Sequence, residues 1–398
     1  MQDKTYTTAS FRLRSEVTKM KDKTPKKTIK RIQPIDINIL LGLYYFRALS
    51  TEQIKIRYNL TKGYTYRKLR ILRNTNWIIT LPISGYNKKQ HRQGAYHRIS
   101  ETGIACLRKQ GYPVERKAED LRIGKLHLPS LLHIYDLFFS LEKSGWKMTD
   151  SRDVKNKYGL DRKDSIQGIF TNPNGEESIV YILRENTLKM TIAKMDGQIK
   201  KHSKIDESKR DRGIYERPTA NYYIFVKGQQ TYLDVLRYLS ENTGAVLTAQ
   251  KMAIMPTTFA KHYLRLFYDE QEVLTYLQTK FSIEDVTTDV YPTLDIKHDG
   301  LRTIVKHEGE EKYLVNLMDS DFLKIKDILS YKADHYQADG RKLLVISPKP
   351  LKNIHQNLLE NVHHIDYLTV SFGEIAEYIN KTIIERKQQS KKQDVLNS

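Results

Sequence analysis

The sequence predicts a multidomain α/β protein in which a helix-turn-helix domain precedes two related α/β units. Three observations support this fold class. The chain has 398 residues, enough for two or three hydrophobic cores. Its net charge of +20 is concentrated towards one end of the chain. Two similar glycine–glutamate stretches begin at Gly175 and Gly309, 134 residues apart, which predicts an internal repeat.

Composition limits the classes of protein that the chain can belong to. Hydrophobic residues make up 39% and charged residues 29% of the chain, as in soluble globular proteins. No apolar run approaches the roughly 20 residues of a membrane-spanning helix, and the polar, basic start predicts no signal peptide. The single cysteine, Cys106, excludes an intramolecular disulfide framework and a cysteine-based zinc finger. We therefore expect a reducing, cytoplasmic location.

Most of the positive charge lies in the first 112 residues. Residues 1–31 contain ten Lys and Arg against three acidic residues and have no apolar period, which predicts a flexible basic arm. Residues 32–112 contain fourteen Lys and Arg against three acidic residues. The remaining residues, 113–398, contain 43 Lys and Arg against 41 acidic residues and are close to neutral. A concentrated surplus attracts a polyanion, because each neutralised phosphate releases condensed counterions. The charge distribution therefore favours nucleic acid as the partner.

Residues 32–112 read as a helix followed by a helix-turn-helix. Apolar residues at helical spacing predict a first helix over Ile35–Phe46. Ser50 and Thr51 are natural N-cap residues for a second helix that ends near Tyr58. After a short break, a third helix is predicted over Lys62–Asn74. Its position in the motif makes it the candidate recognition helix.

The third helix divides into a core face and an outer face. Leu69 and Leu72, with Tyr66, are predicted to face the core. The remaining basic and aromatic side chains are predicted to face outwards and bind DNA; these are Lys62, Tyr64, Arg67, Lys68, Arg70 and Arg73. An α-helix fits the major groove, where long donors reach guanine edges and phosphates.

A β-hairpin follows the third helix. Strands are predicted over Trp77–Pro82 and Ala95–Ile99, with a closing helix from Ser100 or Glu101. This order is typical of a winged helix, and the loop between the strands supplies further candidate DNA contacts at Lys88, Lys89, His91 and Arg92. Winged helices also serve as protein-interaction modules, but the charge surplus favours DNA. No residues near the histidines of the hairpin complete a metal site, so no metal is expected.

The rest of the chain is predicted to contain two copies of one α/β unit. A linker is expected over residues 113–128, the first α/β copy over 129–283, the second α/β copy over 284–382 and a polar tail over 383–398. Each copy reads as hairpin, helix, strand, helix, strand, helix. Tyr222–Val226 matches Leu343–Ile346, and Tyr263–Phe267 is matched to Tyr367–Phe372 as the last strand.

Sheets of this order are typical of restriction-endonuclease-like nucleases, whose chemistry needs a hairpin acid and an acid-x-lysine on the next strand. The weak candidates are Asp164, Glu177 and Glu185 in the first copy and Asp295, Asp299 and Asp319 in the second. Neither copy supplies the acid-x-lysine pair, so we expect no intact nuclease site and no cofactor. Mg²⁺ would be needed only by a nickase. The sequence also lacks a GxxxxGK[ST] loop, and no tyrosine stands out as a nucleophile.

Two stretches carry a family resemblance. The run from IDINILLGLYYFRALSTEQIKIRYNL to AYHRISETGIACL and the segment LHLPSLLHIYDLFFSLEKSGW (126–146) resemble the replication-relaxation family. The resemblance covers about residues 35–145 and fades by Leu239. It implies a protein of plasmids or integrative elements of low-GC Gram-positive bacteria, with an endonuclease-like fold after the winged helix. That family often carries an acid inside the strand that here reads Val180–Leu183, so the resemblance does not extend to a cleavage site.

Together these features predict a sequence-specific duplex-DNA-binding protein of a plasmid or other mobile element. Its expected role is replication initiation, DNA relaxation or transfer. Expected partners are double-stranded DNA, further copies of the chain (a dimer being the simplest form) and replication or transfer proteins. Two alternatives stay open: a metal- or tyrosine-dependent nickase, and a winged-helix transcriptional regulator.

Overall fold

The computed structural model describes residues 32–83, 94–202, 218–242, 244–288 and 301–381. These residues form a mixed α/β structure with three sheets, in agreement with the predicted α/β class. The described residues divide into two compact units. Among the described residues, the first unit comprises those within 32–47 and 60–122, and the second those within 48–59 and 123–381.

The elements of the first third of the chain follow the predicted order. They are α1 (Pro34–Tyr45), β1 (Leu49–Ser50), α2 (Thr51–Arg57), α3 (Lys62–Asn74), β2 (Ile78–Pro82), β3 (Ala95–Ile99) and α4 (Glu101–Lys109). The predicted N-cap Ser50 is present, and Ser100 caps α4 in the same way. The Ser50 hydroxyl accepts from the backbone N–H of Gln53 at 3.1 Å, and the Ser100 hydroxyl accepts from that of Gly103 at 3.1 Å.

The first unit has a small hydrophobic core beneath α1. Ile39, Leu40 and Leu43 of this helix are completely buried, and α1 packs on β3 and α4. The hairpin β2–β3 is antiparallel, with Ile78 opposite Ile99. Gly103 lets α4 approach the hairpin closely, because a Cβ atom there would overlap the carbonyl oxygen of Trp77.

The second unit contains the first α/β sheet. Its elements are α5 (Leu128–Leu141), β4 (Lys147–Asp150), α6 (Ser151–Lys157), β5 (Gly168–Thr171), β6 (Glu177–Leu183), α7 (Lys189–His202), β7 (Asn221–Val226), α8 (Gln229–Glu241), β8 (Lys251–Pro256), α9 (Thr257–Leu266) and α10 (Glu270–Phe281). The strand order is β4-β5-β6-β7-β8. The pairs up to β6 are antiparallel, and β6, β7 and β8 are parallel.

A second α/β sheet follows in the same unit. Its elements are β9 (Glu284–Thr287), β10 (Ile304–His307), β11 (Glu310–Asn316), α11 (Phe322–Ser330), α12 (Ala333–Asp339), β12 (Lys342–Pro348), α13 (Lys352–Leu358), β13 (Ile365–Val370) and the helical residues 372–381, here α14. The order β9-β10-β11-β12-β13 again has two antiparallel pairs followed by two parallel pairs. Both sheets therefore share one pattern of strand directions, as the internal repeat predicts.

One of the matched stretches was assigned wrongly. Tyr263–Phe267 is not a strand, because Tyr263 lies in α9 and the last strand of the first sheet is Lys251–Pro256. Tyr263, Arg265 and Phe267 alternate as in a strand. However, buried Phe259, Ala260, Tyr263 and Leu264 follow the helical period, which governs the fold here.

The two α/β sheets share one hydrophobic core. A buried polar network also links them. The Tyr232 hydroxyl donates to the Ser320 hydroxyl at 2.8 Å and lies 3.0 Å from Nε2 of His355. The Ser347 hydroxyl lies 2.7 Å from Nδ1 of the same histidine. Because these buried polar groups are hydrogen-bonded to one another, the network fixes how the sheets pack.

Candidate nucleic-acid interface

Helix α3 has a strongly basic composition and a defined start. The Thr61 hydroxyl caps it by accepting from the backbone N–H of Tyr64 at 3.4 Å. The helix contains five Lys or Arg and no acidic residue. Its buried residues are Thr65, Lys68, Leu69 and Leu72. The opposite face is therefore free to meet a partner.

The outward face of α3 carries four of the predicted cations. Lys62, Arg67, Arg70 and Arg73 are exposed, and none has a carboxylate partner within ion-pair distance in the described part of the chain. The Arg67 guanidinium lies 5.0 Å from the ring centre of half-buried Tyr64, which holds the arginine by a cation–π contact. Since these cations pair with no carboxylate among the described residues, they can bind phosphates or base edges.

The structure corrects two placements on this helix. Lys68 was predicted to face outwards but is only 5% exposed, and Tyr66 was predicted to face the core but is 56% exposed. The cause is the helical period, since Lys68 lies one turn before Leu72 on the same face. Tyr66 instead lies one turn before Arg70 and shares its exposed side.

Two polar partners explain how the buried side chain of Lys68 is accommodated in the first unit. Nζ of Lys68 lies 2.9 Å from Oδ1 of Asp36 and 2.5 Å from Oε1 of Gln33. Asp36 also caps α1, because its Oδ2 accepts from the backbone N–H of Gln33 at 3.0 Å. Lys68 thus fastens α3 to the start of α1 and orients the outward face. Sequence reasoning missed this role, although Asp36 is one of only three acids in residues 32–112.

Two small outward positions were also missed. Gly63 and Asn74 lie in line with Arg67 and Arg70 at spacings of four, three and four residues, which is one stripe of a helix. A Cβ atom on Gly63 would meet nothing within 4 Å. The helix backbone can therefore approach a partner closely at Gly63, and the Asn74 amide offers a donor and an acceptor at the other end.

The hairpin adds a buried histidine beneath the candidate interface. Nδ1 of His97 on β3 lies 3.0 Å from the Thr80 hydroxyl on β2. Burial, reinforced by the nearby positive charge of Arg73, lowers the pKa of His97 to about 4. His97 is therefore neutral at physiological pH and acts as part of the hairpin core. The four loop candidates Lys88, Lys89, His91 and Arg92 lie outside the described residues.

The three nuclease-type acids of the first α/β sheet are not brought together. Glu177 is the first residue of β6, whereas Glu185 follows its end. Eight residues of extended chain span roughly 25 Å, so these two carboxylates cannot share one metal ion. Glu185 is exposed and lies 3.8 Å from Lys227.

Asp164 has a local partner of its own. Its Oδ2 lies 3.2 Å from Nε2 of His202, and both side chains are buried. Burial favours the neutral carboxyl, yet the hydrogen bond from His202 and the nearby lysines lower the pKa of Asp164 overall. Tyr181, in the middle of β6, is buried at 1% exposure. Asp164 is therefore held by a buried contact with His202.

The second α/β sheet offers one described acid, since Asp295 and Asp299 lie outside the described residues. Asp319 is completely buried, and its Oδ2 lies 3.3 Å from Nζ of Lys251. Burial disfavours the charge on Asp319, but Lys251 and Lys324 lower its pKa. Across the described ranges, no group of three His, Cys, Asp or Glu side chains is arranged to hold a metal ion.

Comparison of the chain with family models, curated proteins and solved structures found no match. The resemblance to the replication-relaxation family therefore stays a prediction. In the part of the chain that the structure describes, no helix is both long and apolar enough to cross a lipid bilayer.

Proposed function

We propose that the chain binds duplex DNA in a sequence-specific manner, with α1 to α4 and the β2–β3 hairpin acting as a winged helix-turn-helix. In this proposal α3 enters the major groove. Residues 1–31 and the loop between β2 and β3 add phosphate contacts through their basic side chains. The α/β sheets act as a scaffold for self-association or for recruiting replication or transfer proteins.

The observation that carries the proposal is the outward face of α3. It presents four cations without carboxylate partners in the described residues, while Lys68 on the inner face is neutralised by Asp36. A helix that served as a structural element alone would gain by pairing such charges with acids. Arginine in particular suits guanine edges and phosphates because its guanidinium donates two parallel hydrogen bonds.

The biological setting follows from the resemblance described above. It favours a plasmid or mobile-element origin as the target and a role in replication initiation, relaxation or transfer. The separated positions of Glu177 and Glu185 favour binding over cleavage. A preferred site in a promoter, rather than at an origin, would favour a transcriptional regulator instead.

Fluorescence anisotropy with fragments tiled across the parent replicon tests the proposal. We expect one fragment to bind at least about a thousandfold more tightly than the others at 150 mM salt, the low end of specificity ratios for such proteins. Arg67→Ala should cost about 1–3 kcal/mol on that fragment if it reads a base edge. Lys143→Ala, which removes an exposed lysine of the second unit, is the matched control. Equal affinity for all fragments and unchanged binding by Arg67→Ala would overturn the proposal.

A further inference from the structure

The two α/β sheets differ at the ends where their parallel strands finish. In the second sheet this end is closed by protein. Asp319 and Ser320, which follow β11, are fully buried, as is Ser347 at the end of β12. The backbone N–H of Met252 on β8 donates to Oδ1 of Asp321 at 3.0 Å, so the edge of the first sheet covers this turn.

In the first sheet the corresponding end is open and basic. Arg184 follows β6 directly, Lys227 follows β7 directly, and both are exposed. Lys261 lies one turn into α9, the helix that follows β8. Arg184 and Lys261 have no carboxylate within ion-pair distance in the described ranges. Among the described residues, Lys227 has one carboxylate within ion-pair distance, that of Glu185 at 3.8 Å.

A histidine on α5 shows that the three cations converge. Nε2 of His133 lies 2.9 Å from the hydroxyl of Thr257, the first residue of α9. Burial, followed by the positive charges of Lys227, Lys261 and Arg184, lowers the pKa of His133 to about 4. The geometry agrees, because Leu183 lies opposite Val226 on the parallel strands β6 and β7, so Arg184 and Lys227 leave these strands side by side. Lys261 lies one turn beyond Thr257, the residue that contacts His133.

The backbone at this end suits an anion as well. Helices α8 and α9 both begin here, and their N-cap residues, Gly228 and Pro256, make no side-chain cap. Gly228 has a φ of +93°, and a Cβ atom there would lie 2.9 Å from Cγ of Glu185. Glycine at position 228 therefore lets the backbone after β7 pass close to Glu185 in the connection after β6. First-turn N–H groups without a capping side chain add to the attraction of the cations for a phosphate.

We propose that this open end, formed by Arg184, Lys227 and Lys261, binds backbone phosphates of a nucleic acid. The inference rests on the proposed DNA-binding function for the identity of the polyanion. In general, ligands of open α/β sheets bind at the carboxyl ends of the strands. Among the described residues, the end of the first sheet brings exposed cations from two neighbouring strands together.

Two features favour a nucleic acid over a free phosphorylated small molecule. Leu188, in the connection after β6, and Met190, in the first turn of α7, are 70% and 80% exposed and offer apolar contacts to sugars and bases. The open end also lies beside the helix-turn-helix segment α2. Nε2 of Gln53 donates to Oδ1 of Asp136 at 2.8 Å, one turn along α5 from His133. A nucleic acid that contacts α2 can therefore reach these cations.

The test compares two triple variants of the full chain that remove equal charge. The first is Arg184→Gln, Lys227→Gln and Lys261→Gln. The control changes exposed lysines elsewhere in the second unit, namely Lys143→Gln, Lys147→Gln and Lys349→Gln. Lys349 follows β12 as Lys227 follows β7 and so tests the closed end. Affinity for a labelled duplex and for its single strand is measured against salt concentration.

We expect the first triple variant to flatten the slope of log K against log salt by roughly 2–3, because each lost phosphate contact contributes about 0.7–0.9. The control should change it by less than about 1. Equal slopes for the two variants, with wild-type binding intact, would overturn this inference while leaving the proposed function standing. No binding by the wild-type chain would overturn both.

A second measurement separates a nucleic-acid backbone from a small phosphate ligand. The pKa of His133 is followed by NMR as oligonucleotide or ATP is added. Bound phosphates should raise it from about 4, and the first triple variant should abolish the change. A mononucleotide that raises this pKa at concentrations as low as those of the oligonucleotide would overturn the assignment to backbone phosphates.

Discussion

The contact between Lys68 and Asp36 yields the sharpest prediction about the candidate interface. Lys68→Met keeps most of the aliphatic volume but leaves Asp36 without its cation. The side chains of Lys68 and Asp36 are 7% and 2% exposed, so the remaining carboxylate cannot be solvated in place. Breaking a buried pair by removing one partner costs about 3–5 kcal/mol. Because the backbone N–H of Gln33 still donates to Asp36, we expect about 3 kcal/mol, the lower end of that range.

The two tryptophans of the chain allow this loss to be assigned to one unit. Trp77 lies in the first unit and Trp146 in the second, so 5-fluorotryptophan labelling gives one ¹⁹F signal for each. In a urea titration, Lys68→Met should lower the unfolding midpoint of Trp77 by about 1 M or more, given slopes of roughly 1–3 kcal/mol per M. The Trp146 midpoint should stay unchanged.

Arg70→Met is the matched control on the same helix, because Arg70 is exposed and has no carboxylate partner in the described residues. We expect it to leave the free energy of unfolding reported by Trp77 within about 0.5 kcal/mol of wild type while weakening DNA binding. A stable Lys68→Met variant beside a destabilised Arg70→Met variant would refute the reasoning. If the stable Lys68→Met variant also showed a weaker dependence of DNA binding on salt, Lys68 would lie on the outer surface of α3 and contact DNA.

Three further predictions concern other parts of the chain. Gly103→Ala should destabilise the first unit by about 1–3 kcal/mol, because its methyl group would overlap the carbonyl oxygen of Trp77; an unchanged Trp77 midpoint would contradict this. Burial lowers the pKa of His97 and His355 to about 4 in the folded protein. As the pH falls, these histidines become protonated in the unfolded chain before they do so in the folded protein. The free energy of unfolding should therefore fall by roughly 3 kcal/mol per histidine as the pH drops from about 6.5 to 4. Urea midpoints that do not fall between pH 7 and pH 5 would contradict it. Incubation of supercoiled origin DNA with Mg²⁺ or Mn²⁺ should produce no open circles, whereas nicking that is lost in Asp164→Asn would reveal a working site.

Local signals in the sequence predicted much of the fold. The bounds of α3 and β3 were correct, because Thr61, Ser100 and the apolar periods mark where those elements begin and end. The burial of Lys68 was not predictable in this way. Its partner Asp36 lies 32 residues earlier and meets it only after α1 and α3 have packed.

The basic end of the first α/β sheet was hidden for a related reason. Arg184, Lys227 and Lys261 are far apart in sequence, and a nearly neutral region of the chain gives no compositional signal for them. They converge because parallel strands finish at one end of the sheet. The error at Tyr263–Phe267 has a different cause, since a short aromatic run fits both the strand period and the helical period.

The central claim is that the outward face of α3 lies against DNA, and a tethered cleavage reagent tests it most directly. The native Cys106 is replaced by serine, and an iron–EDTA group is attached through Gly63→Cys, where the Cβ position is open. The account predicts cleavage of both strands within the bound site, and little from the same reagent at Lys349→Cys on the second α/β sheet. Strong cleavage from position 349 and none from position 63, with binding intact, would contradict it.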